Sequence, residues 1–277
     1  MKNLKCKVFS ASGNIISLVD NRTTNKEIAF FIENIKDYCS IKTKKTDGLV
    51  IINNSDKYDF SMSFVNSDGT TGMMCGNGGR CAIYYYANML DTYQKDNLIV
   101  FNLDDTDNIY YGSLHEDLVS IYFDIPYKIN KKTITINGIE YRGSFFEYPT
   151  PHFVIEVENV FNLDFKKTVK KIRNHPAFAP LGTNVDFFHK FSYNNLYLRT
   201  FERGVEKETG ACGTGAIVTA VSFFLKYGII LKELTIVPTS KSELYIKLSE
   251  IDGESKILLT GSVEEIITLA KLPTKKH

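Results

Sequence analysis

Two cysteines of this chain begin the same short phrase, and each phrase leads into an apolar stretch of helical length. The phrases are Cys75-Gly76-Asn77-Gly78 and Cys212-Gly213-Thr214-Gly215, and they lie close to half of the 277-residue chain apart. Residues 76–90 carry one charge, Arg80, and residues 213–227 are nearly uncharged. A helix that is apolar on nearly every side is buried inside a domain. The pattern therefore predicts a duplicated unit with one cysteine-headed, buried helix in each half.

The segments around these helices predict strands, because they are short apolar or alternating runs bounded by turn residues. The predicted strands are two within 4–19 around Ser12-Gly13-Asn14, then 49–52, 60–65, 98–103, 110–114, 119–125, 134–141, 144–147, 152–157, 185–188, 196–201, 233–237, 244–248, 257–259 and 262–272. Helical spacing of apolar residues predicts amphipathic helices over 27–38, capped by Thr24 or Asn25, and over 165–173.

These elements predict an α/β (α+β) fold made of two pseudo-symmetric halves. Each half is expected to wrap a mostly antiparallel, barrel-like sheet around its central buried helix. Since no Pro- or Ser-rich linker divides the chain, the boundary is placed between 122 and 128. The N-terminal half is predicted as 1–124, joined by a C-terminal strand within 263–277, and the C-terminal half as 125–262.

The bulk composition excludes several classes of protein. A net charge of +1 gives no reason to expect a nucleic acid or an anionic membrane as partner. No apolar run approaches the roughly 20 residues that span a bilayer. The start of the chain lacks the features of a secretory signal, so a cytoplasmic location is expected. The five cysteines are odd in number, and the spacing of Cys75 and Cys81 fits no common zinc pattern, so neither a disulfide framework nor a metal site is predicted.

A cysteine directly before a helix lies among unpaired backbone N–H groups at the positive end of the helix dipole. Both effects favour the thiolate, so the pKa of each thiol is expected below the free value of about 8.5. The glycines that follow let a ligand oxygen approach the N–H groups closely. Two such helix ends that face each other would clamp the carboxylate of an amino acid.

One sulfur would then remove the α-proton, and the thiol opposite would protonate the other face of the carbon. The N–H groups would stabilise the charge that develops on the carboxylate, so the α-carbon would invert without a cofactor. The two sulfurs would titrate as a coupled pair.

Blander interpretations exist for the same residues. A single buried cysteine before a helix is usually an inert, small apolar residue. A glycine-rich turn is also found at ordinary helix starts and in phosphate cradles, although neither copy ends in the Lys-Ser/Thr of a Walker motif. The duplication of the whole phrase at matching places favours the catalytic interpretation.

Five groups of residues, in this order along the chain, resemble the motifs of the diaminopimelate epimerases. These are cofactor-independent enzymes that interconvert LL- and meso-diaminopimelate. The matching phrases are Asn66-Ser67-Asp68-Gly69, Cys75 to Cys81, Pro151-His152, Thr183-Asn184-Val185, and Glu202-Arg203-Gly204 followed by Ala211 to Gly215. The two cysteine phrases with Glu-Arg-Gly before the second are the specific part, and the other phrases are weak by themselves.

The resemblance implies a role for each matching residue. Cys75 and Cys212 would be the acid/base pair, and His152 and Glu202 would adjust their proton affinity. The remaining implied ligands bind the substrate: Gly76, Asn77, Gly213 and Thr214 the reacting carboxylate, Asn14 and Glu202 the reacting amine, and Asn66, Asn184 and Arg203 the distal amino acid end. The family also implies an amino-acid substrate, no cofactor and a homodimer.

Alternatives remain open at several of these positions. Glu202 and Arg203 could form a surface ion pair, His152 could simply begin a strand, and the three asparagines could be turn residues. The chain also departs from the family pattern at Ile15, Gly48 and Thr150. Two other functions therefore remain as alternatives. One is a racemase of the same family that acts on histidine or a lanthionine-like substrate, and the other is a homologue that binds its ligand without turnover.

Overall fold

The computed structural model describes residues 4–41, 44–71, 74–89, 97–104, 106–147, 150–228 and 233–268. The chain forms two compact units, one of residues 1–122 with 261–277 and the other of residues 123–260. The boundaries predicted from the sequence lie after residues 124 and 262. Each unit contains one cysteine-headed helix.

Eighteen strands and five α-helices are found in the described ranges. The strands are β1 Cys6–Ala11, β2 Asn14–Asp20, β3 Ser40–Ile41, β4 Lys44–Lys45, β5 Gly48–Asn53, β6 Phe60–Asn66, β7 Ile99–Leu103, β8 Ile109–His115, β9 Leu118–Asp124, β10 Ile129–Ile136, β11 Ile139–Phe146, β12 His152–Glu156, β13 Asn184–Ser192, β14 Asn195–Glu202, β15 Lys207–Glu208, β16 Leu234–Val237, β17 Leu244–Ile251 and β18 Glu254–Thr268. The helices are α1 Ile28–Glu33, α2 Ile35–Tyr38, α3 Gly76–Met89, α4 Phe165–Arg173 and α5 Gly213–Tyr227.

The strands of the first unit close into a barrel. Their order is β1-β2-β5-β6-β7-β8-β9, and β18 pairs with both β9 and β1, which completes a ring of eight strands. The turn between β1 and β2 has positive φ at Ser12 (50°) and Gly13 (87°), as a two-residue hairpin requires. Helix α3 packs against β1, β2, β5, β6 and β8. The residues of its first turn, Gly76 to Gly79, are buried, and Cys75 directly before them is half-buried.

The second unit repeats this plan. Strands β11, β12, β13, β14, β16 and β17 follow each other with antiparallel, parallel, antiparallel, parallel and antiparallel pairing. Strands β1, β2, β5, β6, β7 and β8 show the same succession. In both units the cysteine-headed helix connects the fourth and fifth of these strands, α3 in one and α5 in the other. The predicted mixed α+β fold with two pseudo-symmetric halves is confirmed.

Three local predictions were wrong. The predicted helix 27–38 is interrupted at Asn34, whose side-chain Nδ2 donates to the carbonyl oxygen of Phe30 (2.8 Å), and Glu27, not Thr24 or Asn25, precedes it. Residues 129–146 form one hairpin around Asn137-Gly138, both with positive φ, where two separate strands were predicted. Strand β18 runs unbroken through Gly261, where two strands were expected. The predicted end of that last strand, 269–272, lies outside the described residues.

Every helix in the described part of the chain is too short or too polar to span a lipid bilayer.

Candidate active site

Cys75 lies directly before α3 and is half-buried. The backbone N–H of Gly78 donates to its Sγ (3.3 Å), and the N–H of Gly79 donates to its carbonyl oxygen (2.8 Å). A Cβ at position 78 would lie 3.0 Å from Cγ2 of Val50 and 3.2 Å from Cδ2 of Phe64. The glycine therefore lets the first turn approach the sheet this closely without displacing these side chains, and its N–H, which has no partner within the helix, is aimed at the sulfur.

A buried arginine ties this first turn to the rest of the unit. Nη2 of Arg80 donates to Oδ1 of Asn77 (2.8 Å), and Nη1 donates to Oγ of Ser12 (3.1 Å) and to the carbonyl oxygen of Ser262 (3.3 Å). Burial lowers the pKa of Arg80 to about 10, against the opposing effect of the nearby thiols of Cys81 and Cys75. The guanidinium thus orients the Asn77 side chain and fixes the β1–β2 turn next to it. Arg80 is the one charge of residues 76–90, and its role is not visible in the sequence.

The predicted amine ligand Asn14 is the first residue of β2 and is 2% exposed. Its Oδ1 is buried and accepts no hydrogen bond within the described residues. Buried carbonyl oxygens are nearly always paired, so this atom is available to a donor such as a ligand ammonium. Asn66 lies at the end of β6, where its Nδ2 donates to Oγ1 of Thr70 (2.9 Å). Its amide thus supports the local turn, as the turn interpretation expected.

The family departures lie in well-packed surroundings. A Cβ at Gly48 would lie 2.4 Å from Cζ of Phe64, because the phenylalanine ring already fills the space beside the glycine. Ile15 is half-buried against the apolar core that lies under α1 and α2, and Thr150 is 6% exposed. At position 48 an aromatic ring therefore stands where a longer polar side chain would reach.

In the second unit Cys212 is the N-cap of α5 and is 6% exposed. The N–H of Gly215 donates to its Sγ (3.4 Å), which repeats the arrangement at Cys75. The hydroxyl of Thr214 lies 3.5 Å from the same sulfur. The two phrases therefore fold into the same sulfur-capped helix start, one in each unit.

A buried hydrogen-bonded chain continues from Thr214. Its Oγ1 lies 3.0 Å from Nε2 of His152, and Nδ1 of this imidazole lies 2.6 Å from Oδ2 of Asp186. The other carboxylate oxygen of Asp186 accepts from the hydroxyl of Thr200 (2.7 Å). His152 begins β12 and also contacts the thiol's helix, so the strand-start interpretation and the functional one are compatible. Asp186 was not among the predicted site residues, although an acidic residue within a predicted buried strand is a signal for it.

The expected low pKa is wrong for Cys212. Burial raises the pKa of this thiol well above its ordinary value, and the carboxylates of Glu202 and Asp186 raise it further. The hydrogen bond shared with the Thr214 hydroxyl and the one donated by the N–H of Gly215 lower it by less. Desolvation thus outweighs the helix N-terminus, and Cys212 is a thiol at neutral pH.

The remaining predicted ligands surround this cluster. Oδ1 of Asn184 accepts from the backbone N–H of Arg203 (2.7 Å), and its Nδ2 donates to the carbonyl oxygen of Pro151 (2.8 Å). Glu202 accepts a hydrogen bond from the hydroxyl of Thr209. Asn184 thereby joins the start of β12 to the turn that carries Arg203. Among the described residues no group of three or more His, Cys, Asp or Glu side chains is arranged to hold a metal ion.

Comparison with known proteins gives a family match over most of the chain. The diaminopimelate epimerase family model matches residues 6–102 and 147–266. A diaminopimelate epimerase of Aquifex aeolicus is 35% identical over 273 residues, covering 93% of this chain and 94% of that protein. One from Hydrogenobaculum sp. is 35% identical over 272 residues, covering 93% and 95%.

Solved structures show the same fold at low identity. A PhzF-family phenazine biosynthesis protein of Bacillus anthracis aligns with a TM-score of 0.72 at 12% identity, covering 97% of this chain and 99% of that one. A hydroxyproline epimerase of Agrobacterium vitis, with bound trans-4-hydroxy-L-proline, aligns with a TM-score of 0.67 at 11% identity, covering 96% and 91%.

Proposed function

Because this chain belongs to the diaminopimelate epimerase family, we propose that it is an isomerase that interconverts LL- and meso-diaminopimelate. The reaction would supply the precursor of lysine and of peptidoglycan cross-links. The observation that carries the proposal is the repeated sulfur-capped helix start, in which Gly78 and Gly215 donate to the sulfurs of Cys75 and Cys212.

The proposed reaction is a two-base proton transfer at the α-carbon, with the two thiols on opposite faces. In the LL-to-meso direction the thiolate of Cys75 removes the α-proton. Cys212, which burial and two neighbouring carboxylates keep as a thiol, then delivers its own proton. The N–H groups at the two helix starts bind the substrate carboxylate and stabilise the enolate-like charge that grows on it. No cofactor takes part in this scheme.

The substrate's two amino acid ends would be held by different residues. The free Oδ1 of Asn14, together with Glu202, would accept from the reacting ammonium. Arg203 would offer a two-pronged donor to the distal carboxylate, and Asn66 would also bind that end of the substrate. Asn184 would act in this proposal mainly by fixing the turn that carries Arg203, because both ends of its amide are engaged within the unit.

The first experiment follows the conversion of LL-diaminopimelate by the reduced protein, without pyridoxal phosphate, using chiral chromatography. We expect the meso form to accumulate and to exceed the LL form at equilibrium, because inversion of either of the two equivalent centres of LL-diaminopimelate gives it. We expect Cys75→Ala and Cys212→Ala each to abolish turnover. Cys39→Ala is the matched control, because Cys39 is a buried thiol in an apolar core of the first unit. Full activity in either of the first two variants would contradict the mechanism.

A second candidate is a racemase of the same family that acts on another amino acid. The packing of Phe64 over Gly48 favours it, because a pocket wall at this place would be apolar. A panel of LL-diaminopimelate, L-lanthionine and L-histidine distinguishes the two by kcat/KM. A preference for histidine would replace the diaminopimelate assignment, and tight binding without exchange of the α-proton would indicate a binding protein. We also propose that the protein is a homodimer and is located in the cytoplasm.

A further inference from the structure

We infer that Asp186 is a positioning residue for the reaction: through His152 and Thr214 it sets up a buried proton path that ends at Sγ of Cys212. Neither the family match nor the sequence motifs assign this aspartate a role. The inference deepens the proposed function and rests on it for its kinetic test. Its spectroscopic test needs no substrate.

The path is continuous and lies away from solvent. His152 and Asp186 are 0% exposed, Thr214 is 5% exposed and Cys212 is 6% exposed. The successive separations are 2.6 Å from Oδ2 of the aspartate to Nδ1, 3.0 Å from Nε2 to the threonine hydroxyl, and 3.5 Å from that hydroxyl to the sulfur. The last distance lies within the longer reach of a hydrogen bond to sulfur. All four side chains belong to the same unit.

Two neighbours fix the tautomer of the imidazole. A carboxylate only accepts hydrogen bonds, so Nδ1 of His152 carries the proton that bonds Asp186. The amide of Asn184 is oriented by the N–H of Arg203 on one side and the carbonyl of Pro151 on the other. Its NH₂ group therefore lies 3.3 Å from Nε2, which is compatible with a lone pair on that nitrogen. Neutral His152 is thus an acceptor towards Thr214.

With this tautomer, the hydrogen bonds from Cys212 to Thr214 and from Thr214 to His152 are all donated in the same direction, away from the sulfur. The S–H of Cys212 donates to Oγ1 of Thr214, whose O–H donates to Nε2 of His152. When the thiol loses its proton, the proton on Oγ1 moves to Nε2 and the proton from sulfur replaces it on Oγ1. The products are a thiolate and an imidazolium, whose Nδ1 lies 2.6 Å from Oδ2 of Asp186. The number of protons in the site is unchanged.

An epimerase needs such a path, because each thiol must act as acid in one direction and as base in the other. Cys212 has two negative neighbours, Glu202 and Asp186, and it is desolvated, so it does not ionise to solvent at neutral pH. His152 is the positively chargeable group on the path. It is 0% exposed and is reached from the sulfur through Thr214, and Asp186 supports the transfer by keeping the imidazole in the accepting tautomer.

The spectroscopic test uses ¹⁵N-histidine NMR of the substrate-free protein, with His152→Gln identifying the signal. We expect a pyrrole-type Nδ1 and a pyridine-type Nε2 in the wild type. In Asp186→Asn the amide can donate to Nδ1, so the proton should move to Nε2. Asp104→Asn is the control, since Asp104 is a second carboxylate that accepts from Ser61 and Ser63. It should leave the His152 tautomer unchanged. A wild-type His152 protonated at Nε2 only would overturn the inference.

The kinetic test compares Asp186→Asn with Thr214→Val, which loses the hydroxyl but keeps the backbone N–H. We expect kcat to fall about 10²-fold or more in both, with KM changed by less than about threefold. Thr214→Ser should restore kcat to within about tenfold of the wild type, and Asp104→Asn should stay within about threefold of it. Unchanged kcat in Asp186→Asn, with an active wild type, would refute the path alone. An inactive wild type would refute the proposed function and leave the NMR result to decide the path.

Discussion

Replacing Gly48 by Ala should destabilise the protein, although such a change in a strand normally stabilises it. Gly→Ala at a permissive position gains about 0.4–1 kcal/mol, because the unfolded chain loses conformational freedom. Here the new Cβ would lie 2.4 Å and 2.9 Å from Cζ and Cε2 of Phe64, and 2.9 Å from the carbonyl oxygen of Val65. Carbon pairs are at their best separation near 3.5–4.0 Å, so the ring contact is too short by about 1 Å.

Neither neighbour can yield easily. Phe64 is 7% exposed, and its ring lies between Gly48 and Gly78, where the first turn of α3 begins. The oxygen of Val65 belongs to the antiparallel ladder between β5 and β6. Overpacking of this kind costs about 1–3 kcal/mol, so the net loss in the free energy of unfolding should be about 1–2 kcal/mol.

The assay is urea unfolding followed by circular dichroism, since the chain has no tryptophan. A double-mutant cycle with Phe64→Leu separates the two contacts. If the ring is the main obstacle, Gly48→Ala should cost about 1 kcal/mol less in the Phe64→Leu background. The contact with the Val65 oxygen remains in that background, so the stability lost through Gly48→Ala should be recovered only in part. A stabilised Gly48→Ala variant, or strict additivity in the cycle, would refute the packing argument.

Three further outcomes are expected. Glu202→Gln removes one of the charges that raise the pKa of Cys212, so iodoacetamide should alkylate this thiol at lower pH than in the wild type, as measured by peptide mass spectrometry; an unchanged profile would contradict the assignment. Burial alone would raise the pKa of Glu208, but the hydrogen bonds from Arg199 and Thr239 and the charges of Arg199 and Lys166 together outweigh it and hold the pKa below its usual range. This carboxylate therefore contributes stability above its unfolded pKa, and that contribution is lost as the pH falls through its folded pKa. Glu208→Gln should lower stability at pH 7 and flatten the acid limb of a urea-midpoint profile; an acid limb identical to that of the wild type would be the contrary result. Finally, if the thiols of Cys75 and Cys212 face each other across one substrate carbon, mild oxidation should join them in a disulfide and inactivate the enzyme, and a thiol reductant should restore activity. Activity that resists the oxidant would count against facing thiols.

The sequence predicts the cysteine-headed helices correctly because their signal is strong and local. Gly213–Tyr227 agrees with the prediction in full, and the predicted helix 76–90 is helical from Gly76 to Met89, with residue 90 outside the described residues. The two pseudo-symmetric halves could be predicted because the two Cys-Gly-x-Gly phrases stand at equivalent positions in them. The break at Asn34 was missed because it depends on one side-chain bond to Phe30 rather than on the apolar spacing.

The electrostatics of the site could not be predicted from the motifs. A helix start favours the thiolate of Cys212, but the burial of that sulfur and the placement of Asp186 depend on pairing between β12, β13 and β14. Asp186 lies opposite Val154 on one side and Thr200 on the other, and neither neighbour is near it in sequence. The role of Arg80 is hidden for the same reason, since Ser12 and Ser262 reach it only in the closed barrel.

The most direct test of the two-thiol mechanism is to measure which isomer, substrate or product, carries deuterium from the solvent early in the reaction. LL-diaminopimelate is converted in D₂O by the reduced protein, and both isomers are isolated after a few per cent of turnover for mass analysis. We expect deuterium at the inverted carbon of the meso product while the remaining LL substrate is still unlabelled, because one sulfur removes the proton and the other delivers deuterium. Equal labelling of both isomers, or product without deuterium, would show that a single group handles the proton and would contradict the mechanism.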